Sequence, residues 1–173
     1  MILADVVDQI DALMDAGGDV MWAILAVSVV LWVLLIERFL YFYKDYPSAR
    51  QRRIDLWEAR AERHTWQAQR IRETLVSEVR LELSRTLPII RVLIALCPML
   101  GLLGTVLGMM DVFEVMRITG SNDARAMASG VSNATITTMA GLVVAISGLY
   151  FFRLLETRIA DETRHLQDLL KFE

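Results

Sequence analysis

The sequence contains little cysteine, few aromatic residues and long stretches without charge. A single cysteine among 173 residues excludes an intrachain disulfide and a cysteine-based metal cluster. Aromatic residues make up 8% of the chain, whereas hydrophobic residues make up 55%, above the roughly 45–50% of soluble domains. Asp, Glu, Lys and Arg are absent from 20–36, 92–110 and 126–152. These features exclude a disordered chain and a disulfide scaffold, and they predict an all-α integral membrane protein.

Three segments are long enough for a helix to cross the hydrocarbon core of a bilayer, which takes about 20 apolar residues. The predicted transmembrane helices are 20–43, 92–110 and 134–152. The segment before them, 1–19, has five aspartates and no Lys or Arg, the reverse of the basic start of a signal peptide. We expect 1–19 to be an amphipathic surface segment that ends at Gly17 and Gly18.

The distribution of Lys and Arg predicts the orientation of these helices. The connection 44–91 has eleven such residues, the tail 153–173 has four, the connection 111–133 has two, and 1–19 has none. The positive-inside tendency therefore places 44–91 and 153–173 in the cytoplasm, and 1–19 and 111–133 in the periplasm. Residues 50–87 lack Gly and Pro, so the cytoplasmic part is expected to form long helical extensions.

The second and third spans combine small residues with hydroxyl groups and carry no charged side chain. Small faces let membrane helices approach closely, and the predicted packing residues are Gly101, Gly104, Gly108, Gly141, Ala145 and Gly148. Thr105 and Thr138 lie beside these faces, which favours a pore-facing or partner-facing role over hydroxyls bonded only to their own helices. Since hydroxyls do not titrate near neutral pH, any proton chemistry needs a partner's acid or pore water. Pro98 is expected to kink the second span.

The remaining polar residues favour structural roles. Glu37 and Arg38 close the first span at the predicted cytoplasmic interface, where a local ion pair or snorkelling is expected. His64 and His165 are isolated in charged helix, which predicts no metal site and no cofactor. The arginines are balanced by acids, which argues against nucleic-acid binding. No nucleophile–base pair or phosphate loop is present, so the chain is not expected to be an enzyme.

Three segments of the chain have a familiar pattern. They are GGDVMWAILAVSVVLWVLLIERF, which contains the Glu-Arg pair at 37–38, then CPMLGLLGTVLGMMDVF and GVSNATITTMAGLVVAISGLY. Together they resemble the MotA/TolQ/ExbB proton-channel family, and the ExbB branch in particular. The resemblance implies a homopentamer in the bacterial inner membrane around the helices of an ExbD-like partner. The partner's membrane aspartate would carry the proton, and proton flow would energise a TonB-like protein for outer-membrane transport.

The resemblance also implies roles for individual residues. Thr105 and Thr138 match the pore-lining hydroxyls of the family's proton pathway. Asn133 stands where family members commonly have Glu. Because Asn cannot bind a proton, the resemblance implies no titrating role for this position. It still implies a polar contact. Two alternatives stay open: a TolQ-like subunit supporting envelope integrity, and a structural membrane scaffold that conducts nothing.

Overall fold

The computed structural model describes residues 2–44, 46, 51–52, 66–119 and 124–169, and apart from a turn at 85–86 these residues are helical. The four long helices are α1 (Ile2–Lys44), α2 (Trp66–Ser84), α3 (Leu87–Thr119) and α4 (Ala124–Leu169). The all-α class is therefore confirmed. The predictions for 47–50, 53–65, which include His64, for 120–123 and for 170–173 lie outside the described residues.

Three helical stretches are long and apolar enough to cross a membrane. They are Gly17–Lys44, Arg70–Ile118 and Gly130–Leu169, with mean hydropathies of 2.5, 2.2 and 1.7. Each contains one of the three segments predicted from the charge-free runs. The protein is thus a multi-pass membrane protein with three candidate spans.

Helix α1 is interrupted at Gly18, which has φ 59° and ψ −154°. This region of backbone space is essentially restricted to glycine. A Cβ on Gly18 would meet nothing within 4 Å, so the backbone angles, and not crowding, require glycine here. The interruption lies at the glycine pair that separates the acidic N-terminal segment from the first apolar run.

A two-residue turn at Arg85 and Thr86 separates α2 from α3, within the 50–87 segment for which continuous helix was expected. Pro88 explains the turn, because its ring would clash with the carbonyl of Ser84 if α2 continued and it has no N–H to donate to that carbonyl. Proline is tolerated in the first turn of α3. The Ile90 N–H then donates to the Thr86 carbonyl at 3.1 Å, which starts the new helix.

The chain forms two compact units, the first from 1–32 and 92–149 and the second from 33–91 and 150–173. The core of the first unit contains the buried side chains of Met21, Ile24, Leu31, Ile94, Cys97, Val112, Ala134 and Ala145. The core of the second unit contains those of Leu35, Val79, Leu83, Ile90, Phe152, Leu155, Ile159 and Leu166. In α2 the buried positions Val79 and Leu83 are four residues apart, as expected for one face of an amphipathic helix.

In the second unit, Arg38 links the end of the first apolar run to the α2–α3 turn. Its side chain is buried, with the Nε donating to Thr86 Oγ1 and one terminal nitrogen donating to the Glu82 carbonyl at 3.4 Å. The Glu37 carboxylate lies 3.7 Å from the Arg38 Nε, which is the expected local ion pair. Tyr41 donates its hydroxyl to Glu82 Oε1 at 2.5 Å, and its ring centroid lies 5.5 Å from the Arg38 Cζ. Arg38 is therefore a buried anchor of the second unit.

A second polar link in this unit joins the start of α3 to α4. Arg91 donates to Glu156 Oε1 at 3.2 Å and its guanidinium carbon lies 5.3 Å from the Phe152 ring centroid. Arg153, one turn before Glu156, donates to the other carboxylate oxygen at 2.8 Å. All three charged side chains are at least partly exposed, so this pairing contributes less to stability than the Arg38 anchor.

We predict that Arg38→Met lowers the free energy of unfolding of the purified protein by about 2 kcal/mol, because hydrogen bonds made by a charged group contribute about 1.5–3 kcal/mol. Thermal unfolding in detergent, followed by circular dichroism, measures the change. Arg70→Met is the matched control, since the Arg70 side chain is 78% exposed and its ion pair with Glu73 is 3.9 Å long. Equal loss of stability in the two variants would contradict the role of Arg38 as an anchor.

Candidate functional site at the contact of α3 and α4

Two glycines bring the backbones of α3 and α4 into direct contact. A Cβ placed on Gly101 would lie 2.9 Å from the Thr138 Cα, and one placed on Gly141 would lie 2.5 Å from the Cys97 carbonyl oxygen. Both distances are too short for a real Cβ, and both neighbouring atoms belong to the backbone. The two helices can therefore keep this separation only with glycine at both positions.

The close contact extends along α3 towards its C-terminal half. A Cβ on Gly104 would lie 2.7 Å from the Thr137 Cβ, and a Cβ on Gly108 would lie 2.8 Å from the Ala134 Cβ. Gly101, Gly104 and Gly108 thus form one face of α3, and this face packs against the segment of α4 from Ala134 to Gly141.

At the other end of the contact, α1 packs against the same pair of helices. A Cβ on Gly148 of α4 would lie 2.8 Å from the Leu31 Cδ2 of α1 and 3.2 Å from the Ile94 Cγ1 of α3. Ala145, one turn earlier in α4, is buried. The missing side chain at Gly148 lets an apolar residue from each of the other two helices approach α4.

The carbonyl of Gly101 is the polar centre of this contact. It accepts a hydrogen bond from the Thr138 hydroxyl at 2.9 Å and a longer one from the Thr137 hydroxyl at 3.3 Å. Thr137 also donates to the Ala134 carbonyl of its own helix at 2.7 Å. A hydrogen bond from a hydroxyl to a carbonyl thus joins α3 to α4, within the charge-free segments 92–110 and 126–152.

Thr105 lies one helical turn after Gly101 on α3. Its side chain is half-buried, and its hydroxyl donates to the Leu102 carbonyl at 2.7 Å. Thr138 is half-buried as well. Thr138 is therefore bonded to Gly101 across the contact, whereas the Thr105 hydroxyl is bonded within α3.

Asn133 does not join this pair. It lies five positions before Thr138, which corresponds to about 140° around an α-helix, so the two side chains leave α4 on different sides. Asn133 is exposed, and its amide can both donate and accept hydrogen bonds.

Pro98 lies inside α3, which continues as a helix through it.

Thr137 is the site residue that the sequence analysis did not single out. Its side chain is 1% exposed and it packs against Gly104. The signal was available, because Ala134, Thr137 and Gly141 are spaced by three and four residues and so share one helix face. Ala134, Thr138 and Gly141 are spaced just as regularly, by four and three residues. The sequence alone therefore could not show which of the two adjacent threonines faces α3.

The chemistry that this site can perform is limited to polar contact. Across the described ranges, no group of three or more His, Cys, Asp or Glu side chains could hold a metal ion. Between 92 and 110 and between 126 and 152 the sequence has no carboxylate, ammonium, guanidinium or imidazole. The contact thus supplies hydroxyl and carbonyl oxygens as its polar groups.

We predict that Gly141→Ala and Gly104→Ala both destabilise the protein by about 1–3 kcal/mol, the usual cost of overpacking, measured by thermal unfolding in detergent. The two variants differ in how they can be rescued. Thr137→Ala should partly restore Gly104→Ala, because Gly104 faces the Thr137 side chain. It should not restore Gly141→Ala, because Gly141 faces the backbone carbonyl of Cys97. Equal rescue of both variants would contradict this geometry.

Comparison with known proteins identifies relatives of this chain. A family model described as the MotA/TolQ/ExbB proton channel family matches residues 47–168. The biopolymer transport protein ExbB of Helicobacter pylori is 40% identical over 74 residues, which cover 43% of this chain and 51% of that protein. The ExbB protein of Aquifex aeolicus is 26% identical over 155 residues, which cover 90% of this chain and 88% of that protein.

An ExbB-like biopolymer transport protein of Synechocystis is 47% identical over 70 residues, which cover 39% of this chain and 28% of that protein. The chain thus matches about half or less of the length of the Helicobacter and Synechocystis proteins. The family model, in contrast, covers well over half of this chain, including α2, α3 and nearly all of α4. The protein belongs to the MotA/TolQ/ExbB proton channel family.

Proposed function

We propose that the protein is an ExbB-like scaffold subunit of a proton channel in the bacterial inner membrane. In this proposal it forms a homopentamer around the membrane helices of an ExbD-like partner, whose aspartate carries the proton. Proton flow then energises a TonB-like protein that drives transport across the outer membrane. The chain itself catalyses no covalent reaction and needs no cofactor.

The observation that carries this proposal is the neutral, hydroxyl-bearing contact of α3 and α4. The half-buried Thr138 hydroxyl donates to the Gly101 carbonyl, and the half-buried Thr105 hydroxyl, one turn along α3, donates to the Leu102 carbonyl. Both lie in stretches without any charged side chain. A channel wall of this kind can hydrogen-bond a proton carrier but cannot be one. The acid that titrates therefore has to belong to the partner, which matches the division of labour implied by the family.

The apolar surface of the first unit supports an assembly inside the bilayer. Large side chains on α3 and α4 remain exposed, among them Met99, Leu102, Val106, Met139, Leu142 and Ile146. Lipid, further copies of the chain and partner helices can each cover such a surface. The excess of Lys and Arg in 44–91 supports a cytoplasmic position for the second unit and a periplasmic position for 1–19 and 111–133.

The two alternatives are separable from this proposal. A non-conducting scaffold predicts that removing a single hydroxyl has no effect on transport, and that only bulky changes at positions such as Gly101 or Gly141 do. A TolQ-like role predicts a TolA-like gene beside this one, whereas the ExbB-like role predicts a TonB-like gene. An enzyme would require a general acid or base beside a nucleophile, and the second and third spans have no carboxylate, imidazole or amine side chain.

We predict that Thr138→Val abolishes proton-driven uptake while the complex still assembles. Valine has the shape of threonine without its hydroxyl, and hydrogen bonds between membrane helices contribute only about 0.6 kcal/mol on average. Uptake is measured in cells that lack the chromosomal copy and express the variant with its ExbD-like neighbour. Native mass spectrometry of the purified complex measures assembly.

Ser147→Ala is the matched control for this experiment. Ser147 lies nine residues after Thr138, about 180° around α4, and its hydroxyl donates to the Val144 carbonyl of its own helix at 2.9 Å. The control variant should take up substrate as the native protein does. Undiminished uptake by Thr138→Val would remove the pore-lining role, and a monomer without a bound partner in the native protein would remove the assembly.

A further inference from the structure

Two arginines of the second unit mark the ends of charge-free segments. Arg91 directly precedes 92–110 in α3, and Arg153 directly follows 126–152 in α4. When a charge-free segment crosses a bilayer, the charged residues at its ends lie at the level of the lipid headgroups. We therefore expect both arginines at a membrane surface.

The side chains of these two arginines meet at one carboxylate. Arg91 donates to Glu156 Oε1 at 3.2 Å, and Arg153 donates to Glu156 Oε2 at 2.8 Å. Phe152 is buried, and its ring centroid lies 5.3 Å from the guanidinium carbon of Arg91. Because both arginines contact the same turn of α4, they lie at the same membrane surface, and Glu156 and Phe152 fix their orientation.

The cluster of Arg91, Arg153 and Glu156 has an excess of positive charge and of hydrogen-bond donors. Two guanidinium groups and one carboxylate give it a formal charge of +1. A guanidinium has about five N–H groups, and among the described residues each arginine donates one hydrogen bond, to Glu156. The two arginine side chains are 66% and 69% exposed, so their other N–H groups are accessible to a molecule outside the chain.

A purely structural role accounts for only part of this cluster. Exposed ion pairs contribute little to stability, and one arginine is enough to neutralise Glu156. A second arginine, held beside the first, provides paired N–H groups in a fixed orientation. Such groups bind phosphate oxygens two at a time.

Tyr150 indicates that this cluster faces lipid. It lies three positions before Arg153, so the two residues are neighbours on the surface of α4, and its side chain is exposed. Tyrosine is enriched where the hydrocarbon core meets the headgroups, because its ring is apolar and its hydroxyl is polar. Its hydroxyl is a further hydrogen-bond donor at headgroup level.

We infer that the cluster of Arg91, Arg153 and Glu156 binds the phosphodiester of an anionic phospholipid in the adjacent leaflet. The formal charge of +1 complements a lipid with one negative charge, such as phosphatidylglycerol. Phosphatidylethanolamine has an ammonium group beside its phosphate and no net charge, so it is the weaker ligand. Proton transport plays no part in this binding, which goes beyond the proposed function.

The experiment counts the lipids that remain bound to the full-length protein. Native mass spectrometry follows its release from nanodiscs that contain equal amounts of phosphatidylglycerol and phosphatidylethanolamine. We expect the native protein to retain phosphatidylglycerol in preference. The double variant Arg91→Gln, Arg153→Gln should retain about tenfold less, because each arginine near the surface adds to the attraction of anionic lipid.

Arg164→Gln is the matched control, because Arg164 is an exposed arginine of the same helix. It lies eleven positions after Arg153, about 16 Å along α4, which exceeds the screening length of about 8 Å at physiological ionic strength. This variant should retain phosphatidylglycerol as the native protein does.

Glu156→Gln separates lipid binding from a structural ion-pair network. Without the carboxylate, both guanidinium groups are available to the phosphate, so the amount of bound phosphatidylglycerol should stay equal or increase. A cluster that only joins α3 to α4 predicts no change in bound lipid in the double variant. It predicts a similar loss of thermal stability in the double variant and in Glu156→Gln.

The outcomes decide for or against lipid binding. Equal retention of phosphatidylglycerol by the native protein and the double variant overturns the inference, and so does its loss from Glu156→Gln. Displacement of the lipid by glycerol 3-phosphate at equal concentration also overturns it, since the ligand is then a soluble phosphate ester. If the double variant does not assemble, Glu156→Gln decides by the same criterion. The proposed function is tested by uptake and does not depend on these results.

Discussion

The hydrogen bond from Thr138 to the Gly101 carbonyl exists because α3 and α4 touch through their backbones. Water-driven hydrophobic association does not operate between helices in lipid, so close packing and hydrogen bonds have to hold them together. Gly101 and Gly141 permit this packing, since a Cβ at either position would overlap the backbone of the opposite helix. With a larger separation, the hydroxyls of Thr137 and Thr138 would no longer reach the carbonyl.

The two units of the chain differ in the charge of the polar side chains that they bury. In the second unit, a buried arginine is held by Thr86 Oγ1, the Glu82 carbonyl and the carboxylate of Glu37. In the first unit, the buried hydroxyl of Thr137 and the half-buried hydroxyl of Thr138 are bonded to carbonyls, and residues 92–110 of α3 and 126–152 of α4 include no charged side chain. The buried arginine needs polar partners to compensate the desolvation of its charge, whereas the neutral hydroxyls need only a carbonyl acceptor.

The sequence predicted the helices better than it predicted their contacts. The charge-free segments were enough to predict three apolar helices, and the glycine pair at 17–18 was enough to predict a break near the N-terminus. The turn at 85–86 was not predicted, and Pro88 accounts for it. The choice between Thr137 and Thr138 depends on the register of α3 against α4, since adjacent residues differ by about 100° around a helix. The partner of Arg38 is 48 positions away at Thr86, a distance over which helical periodicity carries no information.

The contact at Gly141 also limits how this protein can change over evolutionary time. Every residue other than glycine adds a Cβ, so each single substitution at this codon meets the Cys97 carbonyl at about the same short distance. Because that obstacle is backbone, no second-site replacement of the Cys97 side chain can make room. The spacing of α3 and α4 therefore cannot drift by small steps, and a lineage could alter it only by moving the two helices as a whole.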